Sequence, residues 1–158
     1  MLYYFYDTIY GRLYIVEESG KIVSITYKKK YIKGECKETE TIKFAYKEVN
    51  EYLKRKLKTF SFKYKLTGTD FQNKVWMELA KIEYGKTKSY KEIGDNIGIR
   101  GYRAIGNACN KNELLFVIPC HRVVGTSSIG GFALGVDMKK SLLEMEQKVL
   151  KEYNDICD

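Results

Sequence analysis

The sequence predicts a small α/β N-terminal domain over residues 1–66, followed by a mainly α-helical domain over residues 69–158 that carries a helix-turn-helix. Three observations carry this prediction. The first third alternates with period two in Tyr, Ile and Val, as half-buried strands do. Residues 41–58 and most of the chain after 69 repeat their apolar residues with helical spacing. Between them stands Thr67-Gly68-Thr69, a turn-forming triplet that marks the domain boundary.

The elements follow in order. Leu2–Thr8, Leu13–Glu17 and Ile22–Tyr27 read as strands, the last two joined through Glu18-Ser19-Gly20-Lys21 as a hairpin. Residues 28–40 are charged and read as a loop. A helix over Thr41–Lys58 places Ile42, Ala45, Tyr46, Val49, Tyr52, Leu53 and Leu57 on one face, and a short strand follows at Ser61–Leu66. Thr69 or Asp70 caps the next helix, which carries Phe71, Val75, Leu79 and Ile82 inward and stops near Gly85. Ser89-Tyr90-Lys91-Glu92 has the form of a capping box opening a short helix that ends near Gly98. A third helix covers Tyr102–Asn110, and two short helices around a glycine-containing turn suggest a helix-turn-helix. Leu114–Ile118 has strand character, the glycines at 125, 130, 131 and 135 make a loop, and Asp137 caps a last amphipathic helix.

Composition bounds the function. Apolar residues make up 44% of the 158 and no run of them approaches the roughly 18 needed to cross a membrane. The N-terminal MLYYFYDTIYGRLY reads as a strand, not a secretory leader, so a cytoplasmic protein is expected. Four cysteines at 36, 109, 120 and 157 form no CxxC clip, and one histidine makes a Cys/His zinc site an unsuitable reading; no metal or cofactor is expected. Free thiols are the simple reading, although spacing alone leaves a disulfide open. A net charge of +8 invites a polyanion, but residues 1–66 hold 15 Lys+Arg against 8 Asp+Glu while residues 67–158 hold 13 against 12. The excess thus lies outside the half that carries the helix-turn-helix, and a merely soluble basic surface explains it equally well.

Chemistry concentrates at Ile118-Pro119-Cys120-His121-Arg122-Val123-Val124. Cys120 has two readings: a small buried core residue, or a thiolate nucleophile whose proton an imidazole accepts. Neighbours in an extended segment point to opposite sides, so Cys120 and His121 need a chain bend or a water between them. Glu146, beside the Leu142/Val149 face of the last helix, is a candidate to orient the imidazole. Arg103 stands among Gly101, Ala104 and Gly106, which allow close approach to a groove; it reads as a phosphate contact or as an inserted side chain. Tyr90 reads by default as core.

The heptapeptide around Cys120 resembles the active-site signature of the O6-alkylguanine-DNA alkyltransferases, also called methylated-DNA–protein-cysteine methyltransferases. Further matches follow in order: Phe71, Val75-Trp76, Tyr84-Gly85-Lys86-Thr87, Ser89-Tyr90, Arg103-Ala104-Ile105-Gly106, Asn112, Gly130-Gly131-Phe132, Lys139 and Glu146. The resemblance covers residues 69–147. It implies a winged helix-turn-helix domain over 69–158 and an RNase H-like topology over 1–66. It further implies a monomer that binds double-stranded DNA containing O6-alkylguanine in the minor groove and rotates the damaged base into a pocket. Cys120 would take the alkyl group once, with O4-alkylthymine a second substrate left open. Glu146 and His121 would deprotonate Cys120 through a water, and Asn112 would brace the active-site loop. Arg103 would fill the gap in the stack, with Gly106 on the same DNA-facing helix. Tyr90 would meet the flipped base, and backbone groups around Val123 and Ala133 would read its edge. Glu113 stands where the family usually has proline.

Three other readings compete. A non-catalytic relative that only binds alkylated DNA would lack the reactive cysteine, and a methylation-sensing regulator would need extra domains. A cysteine hydrolase would leave the helix-turn-helix without a purpose.

Overall fold

The computed structural model describes residues 1–157; Asp158, the last residue of the expected second domain, lies outside them, as does the side chain of Cys157. The architecture is mixed α/β, with two compact units. One comprises Met1–Thr67 with Glu113–Leu115, the other Gly68–Asn112 with the chain from Phe116 onward.

In the first unit, β1 (Leu2–Thr8), β2 (Gly11–Glu18) and β3 (Lys21–Thr26) form an antiparallel meander. Ser19 and Gly20 both have positive φ, 52° and 79°, the backbone of a two-residue hairpin turn. The segment expected as loop contains a turn of 3-10 helix (Lys29–Tyr31) and the two-residue β4 (Glu35–Cys36). β4 pairs in parallel with β1, which completes the sheet order β3-β2-β1-β4. α1 (Glu40–Leu53) is capped by Thr39, whose hydroxyl accepts the Ile42 N–H, and it buries Ile42, Ala45, Val49 and Tyr52.

Three expectations for this unit need correction. α1 ends at Leu53, not Lys58, because Arg55 turns into the left-handed region at φ 68°. The N–H groups of Arg55 and Lys56 then close on the Tyr52 and Glu51 carbonyls, which ends the helix with its orphan acceptors satisfied. Ser61–Leu66 is not a strand. Glu48 takes the Ser61 and Phe62 N–H groups and the Ser61 hydroxyl, and only Tyr64 bridges to Ile22. Leu114–Ile118 is not a strand either: Leu114 makes one bridge to Ile25, and Phe116 at φ 71° turns the chain away. Glu113, in place of the family's proline, accepts the Thr67 hydroxyl at 2.6 Å through its carboxylate and the Ile25 N–H through its carbonyl.

In the second unit, α2 (Asp70–Leu79) starts from a full capping box between Thr69 and Gln72, so Thr69 is the cap and Asp70 the first helical residue. It ends before Gly85, at Leu79, where the chain tightens through an Ile82 N–H bond to the Leu79 carbonyl. β5 (Lys88–Ser89) leads into α3 (Tyr90–Ile97), opened by the Ser89–Glu92 capping box and closed by left-handed Gly98. α4 (Tyr102–Asn110) follows. Gly94 admits the turn between them, since a Cβ there would lie 2.7 Å from the Ile99 carbonyl oxygen. Trp76, 2% exposed, ties α2 to α4 through Nε1–H to the Ala108 carbonyl at 2.9 Å. β6 (Val123–Val124) pairs in parallel with β5. α5 (Val136–Cys157) starts one residue before Asp137, which therefore sits in the first turn and is not the cap. No helix among the described residues is long and apolar enough to cross a membrane.

Candidate active site

Pro119 sets the position of Cys120. Its φ of −81° and ψ of 65° make an inverse γ-turn in which the Cys120 N–H reaches the Ile118 carbonyl at 2.8 Å. Cys120–Arg122 then coil into a single 3-10 turn, so the segment is bent where the sequence pattern suggests an extended one. The bend puts Cys120, His121 and Arg122 all inside, at 5%, 1% and 7% exposure.

Asn112 reaches the thiol from the chain just after α4. Its Nδ2 donates to the Ile118 carbonyl at 2.7 Å and to Cys120 Sγ at 3.2 Å. Burial pushes the Cys120 thiol pKa up, while the Asn112 donor and the Lys139 charge pull it down. Burial dominates, so the resting group is a thiol that needs a base.

The base sits in a closed ionic cluster. His121 Nε2 lies 2.7 Å from Glu146 Oε2. A carboxylate only accepts, so Nε2 carries the hydrogen and Nδ1 of the neutral ring is an acceptor. Glu146 is fully buried, and Arg122 grips it with both arms: Nε to Oε1 at 2.8 Å and Nη2 to Oε2 at 3.0 Å. The Gly85 N–H adds a bond to Oε1 at 3.1 Å, and Arg122 Nη1 donates to the Ile82 carbonyl at 2.8 Å. Burial alone would raise the Glu146 pKa, but the bonds and charges of His121 and Arg122 overcome it and hold it at about 2. Burial lowers the His121 pKa, with the Glu146 carboxylate opposing, so the ring rests neutral. Glu146 is therefore an orienting anion and His121 the group able to take a proton.

Lys139 is wholly buried, its ammonium donating to the Val123 carbonyl at 2.5 Å and the Gly131 carbonyl at 2.9 Å. It also lies 5.7 Å from the centre of the Tyr90 ring. One cation thus ties the strand after Cys120 to the glycine loop and to α3. A second thiol, Cys109, lies close enough for Cys120 to influence it, and burial first, then Cys120, pushes its pKa up to about 12. Cys36, Cys109 and Cys120 are all unbridged. Among the described residues no cluster of His, Cys, Asp or Glu has the makings of a metal site.

A cleft of about 530 Å³ is lined by Tyr90, Arg103, Gly106, Asn107, Asn110 and Gly131, among others. Tyr90, on the cleft lining, also faces the Lys139 ammonium, and burial pushes its pKa up to about 12. The structure therefore brings Cys120, His121, Glu146 and Asn112 into one neighbourhood, and Tyr90, Arg103 and Gly106 onto one cleft. Cys120, Val123 and Ala133 do not line that cleft: the Cys120 thiol is buried, the Val123 carbonyl accepts from Lys139, and Ala133 is exposed on the loop. Sequence reasoning left Arg122 and Lys139 without a role. Lys139 had a readable signal, for it precedes Glu146 by seven residues, two turns along the same helix face.

Comparison with known proteins places this geometry. The profile described as "6-O-methylguanine DNA methyltransferase, DNA binding domain" matches residues 70–148. A methylated-DNA–protein-cysteine methyltransferase of Methanosarcina barkeri is 44% identical over 109 residues, covering 68% of this chain and 69% of its own. The constitutive enzyme of that name from Bacillus subtilis is 35% identical over 157 residues, covering 92% of this chain and 95% of its own. The crystal structure of Mycobacterium tuberculosis OGT in complex with DNA superposes with a TM-score of 0.88 at 32% identity, covering 94% of both chains.

Proposed function

Because the chain belongs to the 6-O-methylguanine DNA methyltransferase family, we propose that it repairs DNA by moving an alkyl group from O6-alkylguanine onto its own Cys120. The observation that carries this reading is a buried thiol within hydrogen-bond reach of Asn112, followed directly by a histidine held neutral against a buried, doubly gripped carboxylate.

The Cys120 thiol passes its proton through a water to His121, which Glu146 and Arg122 hold in orientation. The thiolate attacks the alkyl carbon, an S–C bond forms, and the C–O6 bond breaks. Guanine departs with its electron pair on oxygen and takes up a proton as the neutral base. The thioether has no leaving group of comparable quality, so each molecule reacts once. The displacement needs no metal and no cofactor.

We further infer that residues 69–158 form a winged helix-turn-helix domain, with α4 entering the minor groove of double-stranded DNA, and that residues 1–66 have an RNase H-like topology. In support, α4 presents Arg103 to the cleft, and a Cβ at Gly106 would meet nothing within 4 Å, so DNA has room to approach. The damaged base turns into the cleft, whose volume suits a small ligand. Tyr90 stacks near it and Arg103 fills the vacated place, while backbone groups of Cys120, Val123 and Ala133, which lie outside the cleft lining, are the proposed readers of its edge. The Val123 carbonyl keeps a second lone pair for that purpose beside its bond to Lys139. The protein acts as a monomer in the cytoplasm, where thiols stay reduced.

Intact-protein mass spectrometry after incubation with an O6-methylguanine duplex tests this reading. One added methyl per protein, mapped to the Cys120 peptide, is expected, and Cys120→Ala should add none while still binding the duplex. An unmodified, folded, DNA-bound parent protein would instead mark a recognition protein without transfer chemistry.

A further inference from the structure

Residues 54–65 carry Lys54, Arg55, Lys56, Lys58, Lys63 and Lys65 and not one carboxylate. A run of like charge is usually just a solvated surface, but this one is folded in place at both ends. At its start, the N–H groups of Arg55 and Lys56 close α1 onto the Tyr52 and Glu51 carbonyls. At its end, buried Glu48 of α1 holds Ser61 and Phe62, and Lys63 and Lys65 bond through their backbones to both sides of Ile22. Lys63 and Lys65 flank the bridge residue Tyr64, and both are exposed.

Five of these cations are also outside any ion pair among the described residues. Arg12, Lys43, Lys81, Lys88 and Lys91 pair with carboxylates, whereas no ion pair is made by Lys54, Arg55, Lys56, Lys63 or Lys65 among the described residues. All five are exposed. Arg55, moreover, occupies a left-handed backbone position, φ 68°, that favours glycine. A charged side chain kept there at a conformational cost points to a use for the charge.

The distribution of charge supplies the partner. Nucleic-acid affinity comes largely from cations that displace counterions from phosphates. Residues 67–158, which carry the cleft and α4, hold 13 Lys+Arg against 12 Asp+Glu, and two of those cations, Arg122 and Lys139, are buried. Residues 1–66 hold 15 against 8. We propose that the basic tract 54–65 of the first unit is a phosphate-backbone contact for nucleic acid that supplies a sequence-independent share of DNA affinity. This rests on the DNA-repair reading for its choice of polyanion.

The test uses the full chain and an undamaged duplex, with binding followed across a salt series. The slope of log Kobs against log salt should flatten by about 0.9 for each phosphate no longer neutralised, so by roughly 3 to 4 in Lys54→Gln/Lys56→Gln/Lys63→Gln/Lys65→Gln. Methyl transfer from a free O6-methylguanine base should proceed at the parent rate in that variant. Arg55→Gly is the second probe: it should raise the melting temperature, by relieving the backbone, while flattening the slope by the share of about one phosphate. An unchanged slope in both variants overturns the proposal. So does an equal flattening per charge removed in Lys140→Gln/Lys148→Gln/Lys151→Gln, which would make net charge, not this tract, the cause. Loss of binding to anionic vesicles with DNA binding intact would assign the tract to another polyanion and overturn it as well. The slope is read without damaged DNA, so it stands or falls separately from methyl transfer to Cys120.

Discussion

At the scale of single residues, the site works by keeping charges dry and matched. Glu146 accepts four hydrogen bonds, two of them from one guanidinium, which is why it stays ionised in the interior. Its partner Arg122 is therefore one side of a buried ion pair, beside the proposed proton path through His121. Removing one side of a buried ion pair costs about 3–5 kcal/mol, because the other charge is left buried and uncompensated. Arg122→Met should lower stability by that amount in urea unfolding, and Arg122→Met/Glu146→Gln should lower it less than Arg122→Met alone. If the double variant is the worse of the two, Glu146 is not the group left uncompensated. Arg103 is the opposite case: exposed, on the cleft side of α4, and without a structural task. Arg103→Ala should slow methyl transfer from a duplex at least tenfold and leave reaction with the free base unchanged. Equal slowing on both substrates would remove the stack-filling role.

At the scale of elements, the sequence is readable wherever a local signal decides the backbone. Thr69 with Gln72 and Ser89 with Glu92 announce two helix starts, and Ser19-Gly20 announces a hairpin, because each device is complete within four residues. The Ser89 box aims Tyr90, the first residue of α3, at the cleft. Ser89→Ala should cost about 1 kcal/mol, and should also weaken binding of damaged duplex by loosening Tyr90. A melting shift with no change in binding would confine Ser89 to folding. What sequence did not disclose is what distant partners decide. Arginine is no helix stop signal, yet Arg55 ends α1, and Ser61–Phe62 stay out of a strand because Glu48, thirteen or fourteen residues away, takes their N–H groups. β4 is two residues long and exists by pairing with β1. The site divides in the same way. Cys120 and His121 stand side by side in one motif and Asn112 entered through the family resemblance, but nothing local makes Arg122 and Lys139 interior; tertiary packing does that.

At the scale of the whole molecule, the buried ionic cluster couples folding to acidity. The folded Glu146 carboxyl titrates at about 2 against an ordinary 4.5, so it stabilises the fold above its ordinary value and that contribution is lost as pH falls toward 2. The difference corresponds to roughly 3 kcal/mol, a sizeable part of the 5–15 kcal/mol that holds a typical domain. His121 acts in the same direction from a higher starting point. Burial lowers its folded pKa below the ordinary 6.5, so under acid the unfolded chain takes up a proton that the folded one resists, and stability starts to fall below 6.5. Two declines should therefore follow one another, a shallow one below pH 6.5 and a steeper one below about 4.5. Urea unfolding of the parent protein at pH 7, 5.5, 4.5 and 3.5 should trace both. Glu146→Gln should begin less stable at pH 7, with Arg122 left unpaired, and then lose less than the parent between pH 4.5 and 3.5. A parent curve that stays flat from pH 7 to 3.5 would mean that the cluster contributes nothing to folding free energy, and that its charges are held for chemistry alone.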